Sequence, residues 1–243
     1  MNPVRSHGNQ NIQFTKYSNT SNGMNFHIIT LFPNSFDSYL GESILARAIK
    51  DKKIKVKFYN PRDFTKDKNR RVDQKPYGGG PGMVLEAESV IKAVEKAMAR
   101  KKKAKIIWLT PSGKQFDNKS ADNFKKYKDI VIICGRYEGI DARVKKVFKT
   151  EKISIGPYTL TGGELPAMTI IDTVSRRIPG VLGKIESVEE NRVASSDVYT
   201  RPEILVYPFN KLRAGKSKKY RVPKVLLSGN HAEIEKWRNK KKK

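Results

Sequence analysis

The residues best suited to chemistry lie in two glycine-rich segments, each of which follows a short apolar run. Residues 131–134 lead into Gly135, and residues 153–155 lead into Gly156 and then into the pair Gly162-Gly163. Three carboxylates stand among these glycines: Glu138, Asp141 and Glu164. A backbone without Cβ atoms can wrap closely around a ligand and present N–H and C=O groups to it. Because such loops bind ligands at the carboxyl ends of parallel strands, the pattern predicts a binding site rather than turns alone.

A third glycine-rich segment, residues 77–83, reads Tyr-Gly-Gly-Gly-Pro-Gly-Met. It matches neither G-x-G-x-x-G nor G-x-x-x-x-G-K-[ST], the two patterns that cradle nucleotide phosphates. A nucleoside triphosphate site is therefore only weakly indicated.

Cysteine and histidine are too sparse for a metal centre. Cys134 is the single cysteine, which excludes a disulfide framework and suits a reducing compartment. The three histidines, His7, His27 and His231, are widely separated and lack metal-ligand spacing. We therefore expect no structural zinc and no metal ligands among the site residues.

The composition predicts a soluble protein with a polyanionic partner. The chain has 243 residues, 37% of them hydrophobic, and a formal net charge of +26. Such a field favours nucleic acid or an anionic membrane, and phosphate contacts weaken as salt rises. A solvated lysine-rich surface is the alternative that composition leaves open. No apolar stretch approaches the roughly 20 residues that span a bilayer.

Strand and helix patterns must position these segments. Apolar runs predict strands at residues 26–32, 54–59, 105–109, 131–134 and 153–155. Helical spacing predicts helices at residues 36–50, 86–100 and 117–127, whereas residues 60–75 are polar and show no period. This alternation indicates an α/β fold, with a mainly parallel sheet covered by helices on both faces.

The two ends of the chain differ from this pattern. Residues 1–23 are rich in Asn and Ser and contain no acid, which predicts a disordered extension; a transit peptide or a mis-assigned start codon would also explain them. Residues 24–183 form the predicted folded domain, followed by a basic interdomain linker at 184–227. In residues 228–243 we expect one or two helical turns, at 231–237, and then a solvated lysine tail.

Several motifs together resemble a known family. They are LFPNSF at 31–36, NPRDFT at 60–65, RVDQKPYGGGPGM at 71–83, CGRYEGID at 134–141, SIGPYTLTGGELPAM at 154–168, DTVSRRIPGVLG at 172–183 and SGNHAEIEKWR at 228–238. In this order they are similar to the bacterial tRNA (guanine-N1)-methyltransferases of the TrmD type, members of the SPOUT superfamily. The resemblance covers residues 24–238 and implies a deep trefoil knot, which no sequence pattern shows. It also implies a C-terminal helical domain, most of which we expect to be absent here.

The resemblance implies that three loops hold S-adenosyl-L-methionine, largely through backbone groups. The implied cofactor residues are Thr110, Pro111, Gly135, Glu138, Gly139, Ile155, Gly156, Tyr158, Leu160, Gly162, Gly163 and Pro166. Glu138 would pair with the ammonium group of the cofactor. An equally good explanation of this glutamate is a carboxylate at a helix N-terminus, where the helix dipole favours it. At Gly135 or Gly163, a Cβ would occupy space meant for the ligand.

The resemblance further implies methylation of N1 of the guanine immediately 3′ of the anticodon in tRNA. Asp73, Pro81 and Gly82 would form the pocket for this flipped-out guanine. Arg176 would neutralise charge developing on guanine O6.

One departure from the family concerns the base that removes the N1 proton. The family places an aspartate where this chain has Asn191, and an amide cannot accept the proton as a carboxylate does. Glu189, Glu190 and Asp197 are the nearby alternatives, of which Glu190 and Asp197 rank equally.

The expected protein is a cytoplasmic homodimeric enzyme with no membrane partner. In the family, the linker of one subunit completes the site of the other. Magnesium is left open as a further cofactor. Two rival interpretations stand: a basic tRNA-binding protein that has lost catalysis, and a SPOUT methyltransferase that modifies another RNA nucleotide.

Overall fold

The structure is a computed structural model that describes residues 23–99, 101, 103–182, 197–207 and 217–240. The chain divides into two compact units, Met1–Leu182 and Gly183–Lys243. Residues 1–22 of the extension predicted at 1–23, and most of the lysine tail, lie outside the described residues.

A five-stranded sheet forms the centre of the first unit. Its strands are β1 (Met24–Ile29), β2 (Ile54–Tyr59), β5 (Lys105–Gln115), β6 (Asp129–Ile133) and β7 (Glu151–Ser154). They lie in the order β2-β1-β6-β5-β7, and every neighbouring pair is parallel. Two short strands, β3 (Asp73–Gln74) and β4 (Val84–Leu85), pair separately and antiparallel. All five strands predicted from apolar runs are therefore present, and all five belong to one parallel sheet.

Helices cover both faces of this sheet, as the strand and helix alternation predicts. Beside one face lie α1 (Asp37–Leu40), α2 (Ser43–Lys50), α4 (Asn118–Phe124) and α6 (Glu164–Ser175). Against the other face lie α3 (Ala87–Met98) and α5 (Val144–Val147). Because the strands are buried on both sides, they read as continuous apolar runs rather than alternating ones.

The helix predicted over residues 36–50 is interrupted in the structure. A 3-10 turn, Pro33–Phe36, precedes α1, which ends at Leu40 with Gly41 as its C-cap. Helix α2 then begins at Ser43, which has φ of +52°. A glycine and a left-handed residue both interrupt helical geometry, so two short helices replace one. The apolar spacing survives the break, since Phe36, Leu40 and Ala48 remain buried.

Sequence periodicity does not reveal α6. Residues 153–166 were expected to form a strand and a loop, whereas the structure begins a helix at Glu164. Most of its side chains are buried, among them Ala167, Met168, Ile170, Ile171 and Val174. A helix that is apolar nearly all round shows no amphipathic stripe, which is the signal that periodicity detects.

The second unit contains more regular structure than a linker requires. Strands β8 (Ile204–Tyr207) and β9 (Lys218–Arg221) pair antiparallel inside the segment interpreted as linker. The helix expected at residues 231–237 extends further, as α7 (His231–Lys240). Within the described residues, no helix is long and apolar enough to cross a bilayer.

Candidate active site

A cavity of about 360 Å³ opens beside residues 108–111 of β5 and the carboxyl ends of β6 and β7. Three loops surround it: residues 110–113, residues 135–140 and residues 155–163. Parallel strands bring their carboxyl ends to one edge of the sheet, which is where ligands bind in such folds. The two glycine-rich segments singled out in the sequence therefore meet at one place.

All but one of the residues implied as cofactor ligands line this cavity. They are Thr110, Pro111, Gly135, Glu138, Gly139, Ile155, Tyr158, Leu160, Gly162, Gly163 and Pro166. The exception is Gly156, which is buried beneath the ring of Tyr158. A Cβ on Gly156 would lie 2.2 Å from that ring, so the glycine makes room for Tyr158 rather than for the ligand itself.

The first loop is a bulge within β5. Leu109 and Lys114 both align with Ile153 of β7, so residues 110–113 project out of the sheet. The chain then returns to the sheet tightly against β7, because a Cβ on Gly113 would lie 2.5 Å from the backbone of Ile153. The bulge places Thr110 and Pro111 at the cavity while β5 continues beyond it.

The glycines of the site are required for two different reasons. A Cβ on Gly135 would meet only Ile140 and the carbonyl of Leu109, at 3.8 Å, so this position has room on its cavity side. A Cβ on Gly163 would lie 2.5 Å from Cα of Cys134. The ligand-space explanation therefore fits Gly135 and is wrong for Gly163, where close backbone packing demands glycine.

Sequence reasoning missed a buried ionic contact behind the cavity wall. Arg136 Nη2 lies 2.8 Å from Glu164 Oε2, and Thr30 Oγ1 donates a 2.7 Å hydrogen bond to Glu164 Oε1. The carboxylate is almost fully buried, whereas Arg136 also lines the cavity. The only sequence signal was an arginine and a glutamate placed directly beside the two glycine segments.

The thiol of Cys134 is buried at the end of β6 and is not a nucleophile candidate. Burial, with a smaller contribution from the nearby Glu164 carboxylate, raises its pKa well above the ordinary range. A thiol that stays protonated is a poor nucleophile. Among the described residues, no group of three or more histidine, cysteine or acidic side chains could hold a metal ion.

The residues implied at the guanine pocket lie in a loop that is hydrogen-bonded to the cofactor-side loop. Asp73 is half-buried on β3, where it pairs with Leu85 of β4. The N–H of Leu85 donates to the carbonyl of Gly139 at 3.0 Å, and the N–H of Asp141 returns a bond of 2.9 Å to Leu85. A Cβ on Gly82 would lie 2.7 Å from the Glu138 side chain. Gly82 and Glu138 are thus neighbours, while the adjacent Pro81 is exposed.

Arg176 lies apart from the cavity within a single chain. It is the C-cap of α6, whose first residue, Glu164, stands behind the cavity wall. A helix of 12 residues is about 18 Å long. The next residue, Arg177, anchors this end of the helix, because its Nη2 donates a 2.7 Å hydrogen bond to Asn118 Oδ1 on α4.

Of the candidate bases, Asp197 alone lies among the residues that the structure describes. Glu189, Glu190 and Asn191 lie outside the described residues. Asp197 is described and exposed, in the second unit.

Comparisons with known proteins give one consistent result. Residues 24–243 match a family model described as tRNA (Guanine-1)-methyltransferase TrmD. A protein of Pseudoalteromonas atlantica is 42% identical over 220 residues, which cover 88% of this chain and 78% of the relative. A Geobacter sulfurreducens protein is 44% identical over 218 residues, 90% of this chain and 86% of the relative. A Buchnera aphidicola protein is 44% identical over 231 residues, which cover 93% of this chain and 83% of the relative. All three are named tRNA (guanine-N(1)-)-methyltransferase.

Proposed function

Because the chain belongs to the TrmD family of tRNA (guanine-N1)-methyltransferases, which has the SPOUT fold, we propose that the cavity beside the bulge of β5 and the ends of β6 and β7 is its cofactor site. The protein is a methyltransferase that modifies N1 of the guanine immediately 3′ of the anticodon in tRNA. The observation that carries this conclusion is the family match over residues 24–243. The net charge of +26 suits the polyanionic substrate.

The residues around the cavity fit S-adenosyl-L-methionine. When bound, this cofactor supplies an electrophilic methyl group on a sulfonium. Backbone groups of the loops that carry Thr110, Gly135 and Ile155 would hold it, and the open side of Gly135 leaves space that a Cβ would take. Glu138 lines the same cavity and carries the charge that an ammonium group requires.

The guanine site is proposed on the loop that follows β3. Gly82 has φ of +84° and lies against Glu138, so this loop reaches the cofactor side of the cavity. Pro81 lies in the same loop, next to Gly82, and Asp73 lies on β3, just before the loop. An extruded base needs a snug pocket with groups that bond its Watson–Crick edge, and a carboxylate such as Asp73 can accept from guanine N–H groups.

Loss of the N1 proton requires a base, and charge then develops on guanine O6. We assign the base to Glu190 or Asp197, with Glu189 as a further alternative, since Asn191 cannot accept the proton. Arg176 would stabilise the charge on O6, an interaction that strengthens only as the proton leaves.

In a homodimer, Arg176 of one subunit would complete the cavity of the other subunit. Since α6 is about 18 Å long, one chain does not bring Arg176 to its own cofactor loops. Large apolar side chains stand exposed around α6, with exposures of 42% for Phe32, 47% for Tyr39 and 59% for Leu165. An exposed apolar patch of this kind marks an interface, and a second copy of the chain would supply its Arg176 to the first.

A second candidate function is favoured by one observation, the amide at Asn191. The chain would then bind tRNA and cofactor without efficient transfer. We further propose a cytoplasmic location, which suits the free, buried thiol of Cys134 and a tRNA substrate.

The test is methyl transfer from labelled S-adenosyl-L-methionine to a tRNA transcript that carries guanine 3′ of the anticodon. A transcript with adenine at that one position is the matched control. We expect 1-methylguanosine from the first transcript and no product from the second. Another modified nucleoside would instead indicate a different RNA target, and binding without transfer would support the second candidate. The same assay with and without a chelator tests the expected role of magnesium.

A further inference from the structure

One buried carboxylate joins three segments that end at the cofactor edge of the sheet. Glu164, which is 4% exposed, begins α6. Its Oε1 accepts a 2.7 Å hydrogen bond from Thr30 Oγ1, just after β1. Its Oε2 lies 2.8 Å from Nη2 of Arg136, in the loop after β6. We name these three side chains, Thr30, Arg136 and Glu164, the clasp.

The guanidinium of Arg136 uses its planar shape as well as its charge. Besides the contact with Glu164, Nη1 donates a 3.2 Å hydrogen bond to the carbonyl of Thr161. Its Cζ lies 4.4 Å from the ring centroid of Phe32, a cation–π contact. A lysine ammonium keeps the charge, but it cannot donate in two fixed directions and also lie flat against an aromatic ring as a guanidinium does.

The clasp fixes the distance between two cofactor loops. A Cβ on Gly162 would lie 2.3 Å from Arg136 Nε and 2.5 Å from Glu164 Oε2, so the loop backbone rests directly on the ion pair. The N–H of Gly163 donates to the carbonyl of Gly135 at 3.0 Å, which joins the same two loops. We therefore expect a change in the clasp to shift Gly162 relative to Gly135.

Stability alone does not explain an ion pair at this position. Taking two charges out of water is costly, and well-packed apolar residues are often as stable as a buried pair. Glu164 Oε2 meets Arg136 Nη2 as an ion pair, but among the described residues neither Glu164 Oε2 nor Arg136 Nε makes a well-oriented hydrogen bond, so the pair is not optimised for bonding. What the contact does supply is one defined arrangement of the loops.

We propose that Thr30, Arg136 and Glu164 are positioning residues for methyl transfer. They hold the Gly135 loop and the Gly162 loop at the separation that the cofactor requires, although Glu164 and Thr30 do not themselves line the cavity. This inference rests on the proposed cofactor site.

The test compares Arg136→Lys, Glu164→Gln and Thr30→Val with the full-length parent, using S-adenosylhomocysteine as the calorimetric probe. We expect its Kd to rise about tenfold for Arg136→Lys and Glu164→Gln, the change that losing one such contact produces. Thr30→Val should have a smaller effect in the same direction. The KM for S-adenosyl-L-methionine should rise in parallel, whereas kcat at saturating cofactor changes by no more than about twofold.

Arg143→Lys is the matched control, because Arg143 also pairs with a carboxylate, that of Asp141, but on the surface of the protein. Its Kd should equal that of the parent. A double variant, Arg136→Gln with Glu164→Gln, removes both charges and leaves no uncompensated one, so it should fold even if Glu164→Gln does not. A cooperative thermal transition would confirm the fold, and the double variant should still show the raised Kd.

Parent-like affinity in Arg136→Lys and in the folded double variant would overturn the proposal while leaving the cofactor site in place. Failure of the parent itself to bind S-adenosylhomocysteine would overturn the cofactor site, and the positioning role with it. The two failures are therefore distinguishable.

Discussion

The backbone N–H of Glu138 donates a 3.0 Å hydrogen bond to the carbonyl oxygen of Met83. Met83 ends the glycine-rich segment 77–83, and Glu138 lies in the loop that lines the cavity. This bond, with the close approach of Gly82 to the Glu138 side chain, joins the proposed guanine loop to the cofactor loop. A change in one of these two loops should therefore affect the other loop.

Gly135→Val should abolish binding of S-adenosylhomocysteine while the protein stays folded. The Cβ position at Gly135 meets its neighbours at an ordinary 3.8 Å, so the added side chain extends into ligand space instead of disrupting the core. Gly163→Ala should instead lower the thermal stability of the fold, because its Cβ would lie 2.5 Å from Cα of Cys134 and must displace the backbone. Calorimetry and thermal unfolding of both variants check this. Unchanged affinity in Gly135→Val would contradict the assignment of the cavity.

Arg176→Ala should leave cofactor affinity unchanged and lower turnover by about 10²- to 10³-fold, the usual loss when a group that stabilises developing negative charge is removed. The reason is that Arg176 lies at the far end of α6 from the cofactor loops of its own chain. Single-turnover methyl transfer and calorimetry measure the two effects separately. Arg47→Ala, at an exposed position on α2, is the control and should match the parent. Equal loss of cofactor binding in Arg176→Ala would show that the residue is misplaced.

Replacing the true base should slow methyl transfer by about 10²- to 10⁴-fold. We would compare Glu189→Gln, Glu190→Gln, Asp197→Asn and Asn191→Asp under single-turnover conditions. A large loss in one of the three acid variants identifies the base. A strong gain in Asn191→Asp alone would mean that the natural chain lacks its base, which favours the tRNA-binding interpretation. If all four variants transfer methyl groups as fast as an active parent, none of these residues removes the N1 proton.

The protein should lose stability as the pH falls below about 6.5, the ordinary pKa of histidine. His27 is 1% exposed, and its Nδ1 and Nε2 lie 3.1 Å from the Tyr59 hydroxyl and 3.0 Å from Asp129 Oδ1. Burial lowers the pKa of His27 despite the hydrogen bond to Asp129, and the charges of Lys101 and Lys57 lower it further. The unfolded chain then binds a proton before the folded chain does, so stability falls as the pH drops towards the folded pKa.

The free energy of unfolding, measured by denaturant from about 1.5 pH units below to about 1.5 pH units above the ordinary histidine pKa of about 6.5, tests this prediction. One proton limits the contribution of His27 to about 1.4 kcal/mol per pH unit. His27→Gln should flatten the slope near pH 6, whereas His231→Gln, at an exposed position, should not. An unchanged slope in His27→Gln would show that the histidine does not govern this range.

Residues with a strong local signal were predicted well. The apolar runs around Ile28, Ile107 and Ile132 became central strands, because a strand buried on both faces must be apolar throughout. The spacing of Val90, Val94 and Ala97 likewise became the buried face of α3. The motifs were sufficient to identify the three loops that meet at one cavity, although the separate reasons for Gly135 and Gly163 were not distinguishable from sequence.

Sequence alone determined the α/β class, the family and the three loops that meet at the cavity, because these depend on local periodicity and on contiguous motifs. Only the tertiary structure decided what lies behind those loops. Thr30 and Glu164 are 134 positions apart in the chain, and their hydrogen bond exists because parallel strands bring distant carboxyl ends to one edge of the sheet. The same folding places Arg136 against Glu164 and leaves Arg176 a helix length away from the cavity. Contacts of this kind depend on the register and order of strands, which no local pattern of residues encodes.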